Sequence, residues 1–323
     1  MDRRIFTTGM MMLGAVLPTA ASAQAAWPER PVRIIVASTP GSSPDALARL
    51  LGKELEAKFG QPFIVENKPG AGGIVGSETL ANAAPDGYTF GIAHDGMMAI
   101  NTVLYKNLSY DPTKDFAAVA PLAVNEFVLI ANAGTGVKTF ADFTRFVKEK
   151  AGSVTYASAG NGTPNHVFME QLLQKLGAKA LHVPYKGGAA AVADVAGGQA
   201  QFMLAGIAPA LPVIRAGKVN AVAVTQGTRS KMLPDAATIA ETIPGFALET
   251  WFGFFAPAGT PPAIITRMNT ELRAILARPD FVKALNDQGI MVKTGTAEAM
   301  MQTVRDDIVR YQQLAKTIKL EAQ

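Results

Sequence analysis

The chain has 323 residues, of which 49% are hydrophobic and 17% charged, and it has no cysteine. That length predicts about two domains, and the composition excludes a disordered chain, a disulfide scaffold, cysteine-held zinc or iron–sulfur centres and a thiol nucleophile. The 30 basic residues exceed the 26 acidic ones by a net charge of only +4 and form no long run, so a nucleic-acid partner is not expected.

In chain order, residues 1–25 read as a removable export leader. Arg3 and Arg4 give a basic start, an apolar stretch follows over about residues 9–21, and Ala21-Ser22-Ala23 supplies the small-x-small pattern of a cleavage site. Ala23-Gln24-Ala25 is an equally legal second site, and Arg3-Arg4-Ile5-Phe6 is similar to a twin-arginine export signal, with the general secretory route left open. The apolar stretch is shorter than the roughly 20 residues a membrane-spanning helix needs. A location outside the cytoplasm is therefore expected, where NAD, ATP and nucleic acid are not routine ligands.

The rest alternates strand and helix. Val32-Arg33-Ile34-Ile35-Val36 is a β-branched run, and Leu47, Leu51, Leu55 and Phe59 then recur at spacing four, a helical stripe. Strands are predicted at 63–65 and 88–93, with a helix over 78–83 between them. The same grammar restarts after residue 130, with helices over 140–150, 164–176 and 189–196 and strands over 154–157, 181–184, 201–204 and 219–225. A helical stripe of Met300, Met301, Val304, Ile308, Tyr311, Ala315 and Ile318 closes the chain. Repeated strand–helix–strand units predict an α/β fold with two lobes, each a mainly parallel sheet flanked by helices. Two long apolar extended stretches, 116–131 and 246–256, read as crossovers. The expected organisation is a leader at 1–25, a discontinuous first lobe at 26–122 and 252–323, and a second lobe at 123–251.

Chemistry-bearing residues concentrate before four helices. Thr39-Pro40-Gly41-Ser42-Ser43-Pro44-Asp45 precedes the first, with Ser43 as the expected N-cap, and Ser158-Ala159-Gly160-Asn161-Gly162-Thr163-Pro164 repeats the device with Thr163 as the cap. Pro69-Gly70-Ala71-Gly72-Gly73 and Lys186-Gly187-Gly188 precede two more. Such a terminus presents unbonded backbone N–H groups and a partial positive charge. In open α/β sheets ligands sit beyond the carboxyl ends of the strands, where these loops fall. Two loops per lobe facing one another would form a site for a small anion.

The candidate ligand-binding residues are Ser38, Thr39, Gly41, Ser42, Ser43, Asp45, His94, Asp95, Ser158, Gly160, Asn161, Gly162, Thr163, Lys186 and Gly187. Asp45 either complements the helix dipole or meets a ligand donor. His94 is either a ligand partner or a hydrogen-bonded surface group, and Lys186 is the one cation beside a site loop. His166 and His182 match no metal spacing and read as structural. The aromatic cluster Trp251, Phe252, Phe254 and Phe255 reads as core or hinge packing.

Several ordered motifs carry a resemblance across essentially the whole mature chain. They are Trp27-Pro28-Glu29-Arg30-Pro31-Val32-Arg33-Ile34-Ile35-Val36, Val65-Glu66-Asn67-Lys68-Pro69-Gly70-Ala71-Gly72-Gly73, Pro85-Asp86-Gly87-Tyr88-Thr89, the 156–163 segment and Val183-Pro184-Tyr185-Lys186-Gly187. The chain resembles the Bug family, the TctC-like periplasmic solute-binding proteins of tripartite tricarboxylate transporters. The resemblance implies a two-lobed Venus-flytrap fold similar to type II periplasmic binding proteins. It also implies capture of a small organic carboxylate in the cleft by loop backbone, hydroxyls and water, and delivery to the transporter's membrane subunits. The family's first loop often carries a large residue where Ser38 stands and glycine where Ser42 stands, and 93–96 also departs from its usual small Thr/Ser-rich form. The smaller wall suggests a bulkier or aromatic acid, and a di- or aromatic carboxylate is the expected ligand.

An enzyme is not expected. No nucleophile elbow, His-Glu-x-x-His or phosphate-binding glycine loop is present, and Gly70-Ala71-Gly72-Gly73-Ile74-Val75-Gly76 fails as a dinucleotide fingerprint because Val75 stands at its third glycine. No cofactor and no metal is expected, and a monomer is. A ligand-sensing subunit for a signalling receptor and, less favoured, a secreted hydrolase remain open at this point.

Overall fold

A computed structural model describes residues 27–316. The expected leader, and Ile318 of the last helical stripe, lie outside the described residues.

Strand β1 (Val32–Val36) is a β-branched run whose residues 32, 34 and 36 are fully buried. It pairs in parallel with β2 (Phe63–Asn67) on one side and β3 (Thr89–His94) on the other. A continuous apolar run is what a strand covered on both faces requires. Helix α1 (Ser43–Phe59) lays Leu47, Leu51 and Leu55 on this sheet, all fully buried. Its N-cap is Ser42 rather than Ser43, because the helix takes Ser43 into its first turn ahead of Pro44. Helix α2 (Ile74–Ala81) starts earlier than expected, straight from a glycine turn over 71–73. After β3 a buried π-helical turn (Gly96–Ile100) runs into α3 (Asn101–Leu104), and β4 (Phe116–Asn125) follows.

One residue, Glu126, separates β4 from β5 (Phe127–Asn132), which belongs to a second sheet. That sheet adds α4 (Phe140–Glu149), β6 (Thr155–Ser158), α5 (Pro164–Leu176), β7 (Leu181–Pro184), α6 (Gly188–Ala196), β8 (Phe202–Gly206), α7 (Ile207–Arg215) and β9 (Val219–Val224). The chain returns to the first sheet through β10 (Thr250–Pro257) and ends with α8 (Pro262–Leu276), α9 (Pro279–Asn286), β11 (Ile290–Val292) and α10 (Ala297–Leu314).

The first sheet has the order β11-β4-β10-β3-β1-β2 and the second β7-β6-β8-β5-β9. Both are mixed rather than mainly parallel. Pairs joined by a helical crossover (β1 with β2 and β3, β6 with β7 and β8) are parallel. The strands that carry the chain between the sheets, β4, β5 and β10, pair antiparallel. β4 leads out to the other lobe, and β5 and β10 are entered directly from it, so no crossover helix fixes the direction of β5 and β10.

Each lobe has its own apolar core. Trp251 and Phe255 pack with Met300 and Val304 of α10, whereas Phe252 and Phe254 face the α1/α8 side. The period of two along β10 divides the aromatic cluster between the two faces of the sheet.

Candidate ligand cleft

The loops that follow β1, β2, β6 and β7 all point into one space between the sheets, a cavity of about 360 Å³. Strand ends at the sheet junction complete it: His94 of β3, Asn125 of β4, Phe127 of β5, Gly206 of β8, and Thr250 and Phe252 of β10. Glycines mark two of the places where the lobes meet. A Cβ on Gly72 would stand 2.5 Å from the Asn161 carbonyl oxygen, and one on Gly187 would stand 2.3 Å from Thr39 Oγ1. Backbone of one lobe therefore touches the other where only glycine leaves room.

Nine of the fifteen residues singled out from the sequence line this cavity: Ser38, Ser42, Ser43, His94, Gly160, Asn161, Thr163, Lys186 and Gly187. Ser42 and Thr163 use their hydroxyls to tie their own loops rather than to cap. Ser42 Oγ donates to Thr39 O at 2.8 Å and Thr163 Oγ1 to Gly160 O at 2.7 Å. His94 Nδ1 accepts from the Gly96 N–H at 3.0 Å, so the neutral ring carries its proton on Nε2. Lys186 is exposed on the loop after β7.

The other six lie beside the cavity without lining it. Asp45 is buried and turned inward. Its carboxylate accepts from Gly41 N–H at 2.9 Å, Arg49 Nε at 3.0 Å and Asn67 Nδ2 at 2.9 Å. Burial pushes this carboxyl up, but the bonds from Arg49, Gly41 and Asn67 outweigh it and hold the group below its ordinary value. Gly41 spends its N–H on that bond. Thr39 packs on the opposing lobe. Ser158 is fully buried, with Oγ 2.6 Å from His182 Nε2 and accepting from Gly160 N–H at 3.1 Å. Gly162 gives its N–H to His166 Nδ1 at 3.3 Å.

Asp95 is the largest departure. It is fully buried beneath the cavity floor and accepts from Gly96 N–H, from Thr250 Oγ1–H and, at 2.7 Å, from the Tyr311 hydroxyl of α10. Its full burial keeps it from touching a ligand.

Sequence reading missed Met97, Tyr105, Asn125, Phe127, Met203, Thr250 and Phe252, which all line the cavity. One signal for Asn125 was available: Asn125-Glu126 is the only polar pair in the apolar stretch 116–131.

His166 and His182 stack at 4.1 Å with their planes 7° apart, and His182 also stacks on Tyr156 at 4.9 Å. Burial lowers His166 to about 4, and burial together with the neighbouring His166 lowers His182 to about 3. Among the described residues no group of three or more His, Asp or Glu side chains is placed to hold a metal. Among the described residues no Asp or Glu side chain lines the cavity.

The comparisons with known proteins agree in kind. A family model described as TctC, tripartite tricarboxylate transporter family receptor, matches residues 47–320. The UPF0065 protein in the tcbD–tcbE intergenic region of Pseudomonas sp. (strain P51) is 33% identical over 322 residues, covering 99% of this chain and 96% of that protein. The periplasmic binding protein BugD superposes with a TM-score of 0.88 at 32% identity, covering 92% of this chain and 100% of that one. Rpa4515 of R. palustris, solved with adipate, matches with a TM-score of 0.88 at 32% identity over 90% of this chain and 98% of that one. MatC (Rpa3494) from Rhodopseudomonas palustris, solved with bound malate, matches with a TM-score of 0.84 at 32% identity over 89% and 99%.

Proposed function

From the premise that the chain belongs to the TctC family of periplasmic solute-binding proteins, we propose that its cleft captures a small organic carboxylate and that the closed protein delivers it to the membrane subunits of a tripartite tricarboxylate transporter. The observation that carries this reading is the cavity's lining. Backbone at helix N-termini from both lobes lines the space, with Ser43 and Lys186 beside it and, among the described residues, no Asp or Glu, while the hydroxyls of Ser42 and Thr163 are spent on their own loops. Free N–H groups at helix N-termini favour an anion. Proline removes one donor from the first turns of α1 and α5, but α6 begins Gly188-Ala189-Ala190 and keeps all of its N–H groups. The adipate and malate bound in the two relatives support the same ligand class.

A ligand touching both lobes binds the closed form better than the open one and shifts the population by that difference. Export through the 1–25 leader, cleaved near Ala23 or Ala25, belongs to the same proposal, as does division into two lobes, but the expected breaks at 122/123 and 251/252 fall inside β4 and β10, so the lobes are divided at Glu126 and just before Thr250. The protein is read as a binder, not a catalyst. Ser158 and His182 imitate a nucleophile–base pair, yet Ser158 lies off the cavity and His182 is backed by His166 and Tyr156 instead of an orienting carboxylate.

The test is thermal unfolding of ligand-stripped mature protein with mono-, di- and aromatic carboxylates. A carboxylate that binds only the native state raises stability by about 2.7 kcal/mol at a hundredfold excess over Kd. A shift with amines or sugars and none with any carboxylate would overturn the proposal. Gene deletion that abolishes uptake, and not merely a transcriptional response, separates transport from sensing.

A further inference from the structure

Resting on the carboxylate-binding reading, the geometry points to a ligand with one carboxylate only, whose far end carries a neutral group that donates hydrogen bonds, a hydroxyl or an amide N–H, met by Asn125 and Thr250. These two residues are cross-strand partners on β4 and β10, at the sheet junction where the cavity is deepest. Asn125 is 4% exposed and Thr250 2%. Asn125 Oδ1 is buried with no hydrogen-bond partner in the protein, although almost all buried polar atoms have one. An acceptor left without a donor in a cavity wall marks the place of a ligand group that donates.

Thr250 adds a second acceptor for a separate reason. Its Oγ1–H is committed to Asp95, so towards the cavity it offers only lone pairs and a methyl group. Asp95 is fully buried directly behind it and takes further donors from Gly96 and Tyr311. Arg310 on α10 is the cation nearby, and it is paired with Asp307 at 3.0 Å rather than with Asp95. At this end of the cavity Asn125 Oδ1 and Thr250 Oγ1 offer lone pairs and the Asn125 amide N–H is the donor beside them. A second ligand carboxylate there would face two acceptors with no lysine or arginine to pair it, a costly arrangement in a buried site. A hydroxyl or amide fits, since it donates to Asn125 Oδ1 or Thr250 Oγ1 and accepts from Asn125 Nδ2.

Space at this end exists because of Gly206. A Cβ there would stand 2.9 Å from Ser43 Oγ and 3.0 Å from Asn125 Nδ2. Between this end and the loops the walls are Met97, Phe127, Met203 and Phe252, so the body of the ligand is apolar.

The experiment is calorimetric titration of the mature protein with acids matched in skeleton: 6-hydroxyhexanoate, adipate and hexanoate, and 4-hydroxybenzoate, terephthalate and benzoate. In at least one skeleton the hydroxy acid is expected to bind about tenfold or more tightly than the dicarboxylate and than the unsubstituted acid, because a site built to pair a hydroxyl rejects analogues that leave its groups unpaired. Asn125→Leu, with its fold checked by thermal unfolding, is expected to reduce the hydroxy acid to the level of the unsubstituted acid. Asn125→Asp is expected to disfavour the dicarboxylate further. Tighter binding of adipate or terephthalate than of its hydroxy counterpart, or equal affinity of all three in both skeletons, overturns this inference and leaves carboxylate binding intact. Absence of binding by every acid in the series overturns the carboxylate reading itself, and this inference with it.

Discussion

Gly72 shows how one residue can govern closure. It sits in the turn before α2 with φ at +62°, and a side chain there would strike the Asn161 carbonyl of the other lobe. Alanine at such a φ costs about 1–2 kcal/mol of backbone strain, a cost borne by the open and closed forms alike. The collision is borne by the closed form alone. Gly72→Ala is therefore expected to lower ligand affinity by about tenfold or more while lowering the melting temperature of the ligand-free protein only modestly, the selective penalty lowering the population of the binding-competent state. Calorimetry beside thermal unfolding checks it, and affinity at the wild-type level would show that the contact does not gate binding. Asp45 teaches the opposite lesson about single residues. Its position beside a helix N-terminus suggested a ligand partner, but a carboxylate turned inward onto Gly41, Arg49 and Asn67 shapes the loop without touching the cavity.

At the scale of elements, α5 and β7 contain a pH-sensitive support for the loop over 158–163. His166 of α5 accepts the Gly162 N–H, and His182 of β7 meets Ser158. Tyr156 of β6, whose hydroxyl donates to Glu170 of α5, and Tyr105, close to Gly162, are the other titratable groups packed around them. Both histidines are held neutral in the folded state, at about 4 and about 3. In the unfolded chain they titrate near 6.5. Between roughly pH 6.5 and 4 the unfolded state thus binds protons that the native state does not, and stability falls as the pH falls through that window. For His166 the loss amounts to at most roughly 3 kcal/mol. His166→Asn is expected to flatten the dependence of melting temperature on pH between 7 and 4. An unchanged slope would place the acid sensitivity elsewhere.

The same elements show what the sequence made legible. The four loops were readable because each cluster of Gly, Pro, Ser and Thr follows a short β-rich run and opens a helix, all within about ten residues. Local chemistry of that kind leaves a local signal. The cavity's deep end left none. Thr250 meets Asp95 across 155 positions and Tyr311 meets it across 216, pairings that depend on how β10 and α10 return to the first sheet. The predicted mainly parallel sheets failed for a related reason. Strand–helix periodicity identifies the crossover-linked strands, but the direction of β5 and β10 is set by the passage between lobes.

For the whole molecule, the connection between lobes is thin enough to bend. Glu126 alone joins β4 to β5, and the return passes between Leu248, whose N–H is bonded to Thr225 O of the second lobe, and Thr250, which pairs in the first. Hinges of this type consist of a few residues that absorb the backbone change, and opening would also part Val167 of α5 from Ile100, Leu104 and Tyr311 of the first lobe. The absence of cysteine makes the motion measurable, because two introduced thiols are the only ones to label. Ile64 and Leu181 are 47% and 64% exposed and lie on β2 and β7, the outer strands of the first and second sheets. A donor and an acceptor dye on Ile64→Cys and Leu181→Cys would report the separation of the lobes without entering the cavity. Energy transfer is expected to rise on saturation with a carboxylate that stabilises the protein, and to rise less in Gly72→Ala at equal ligand concentration. Transfer that stays constant while calorimetry shows binding would mean that the ligand enters a preformed closed cleft, and that membrane subunits distinguish the loaded protein by something other than its closure.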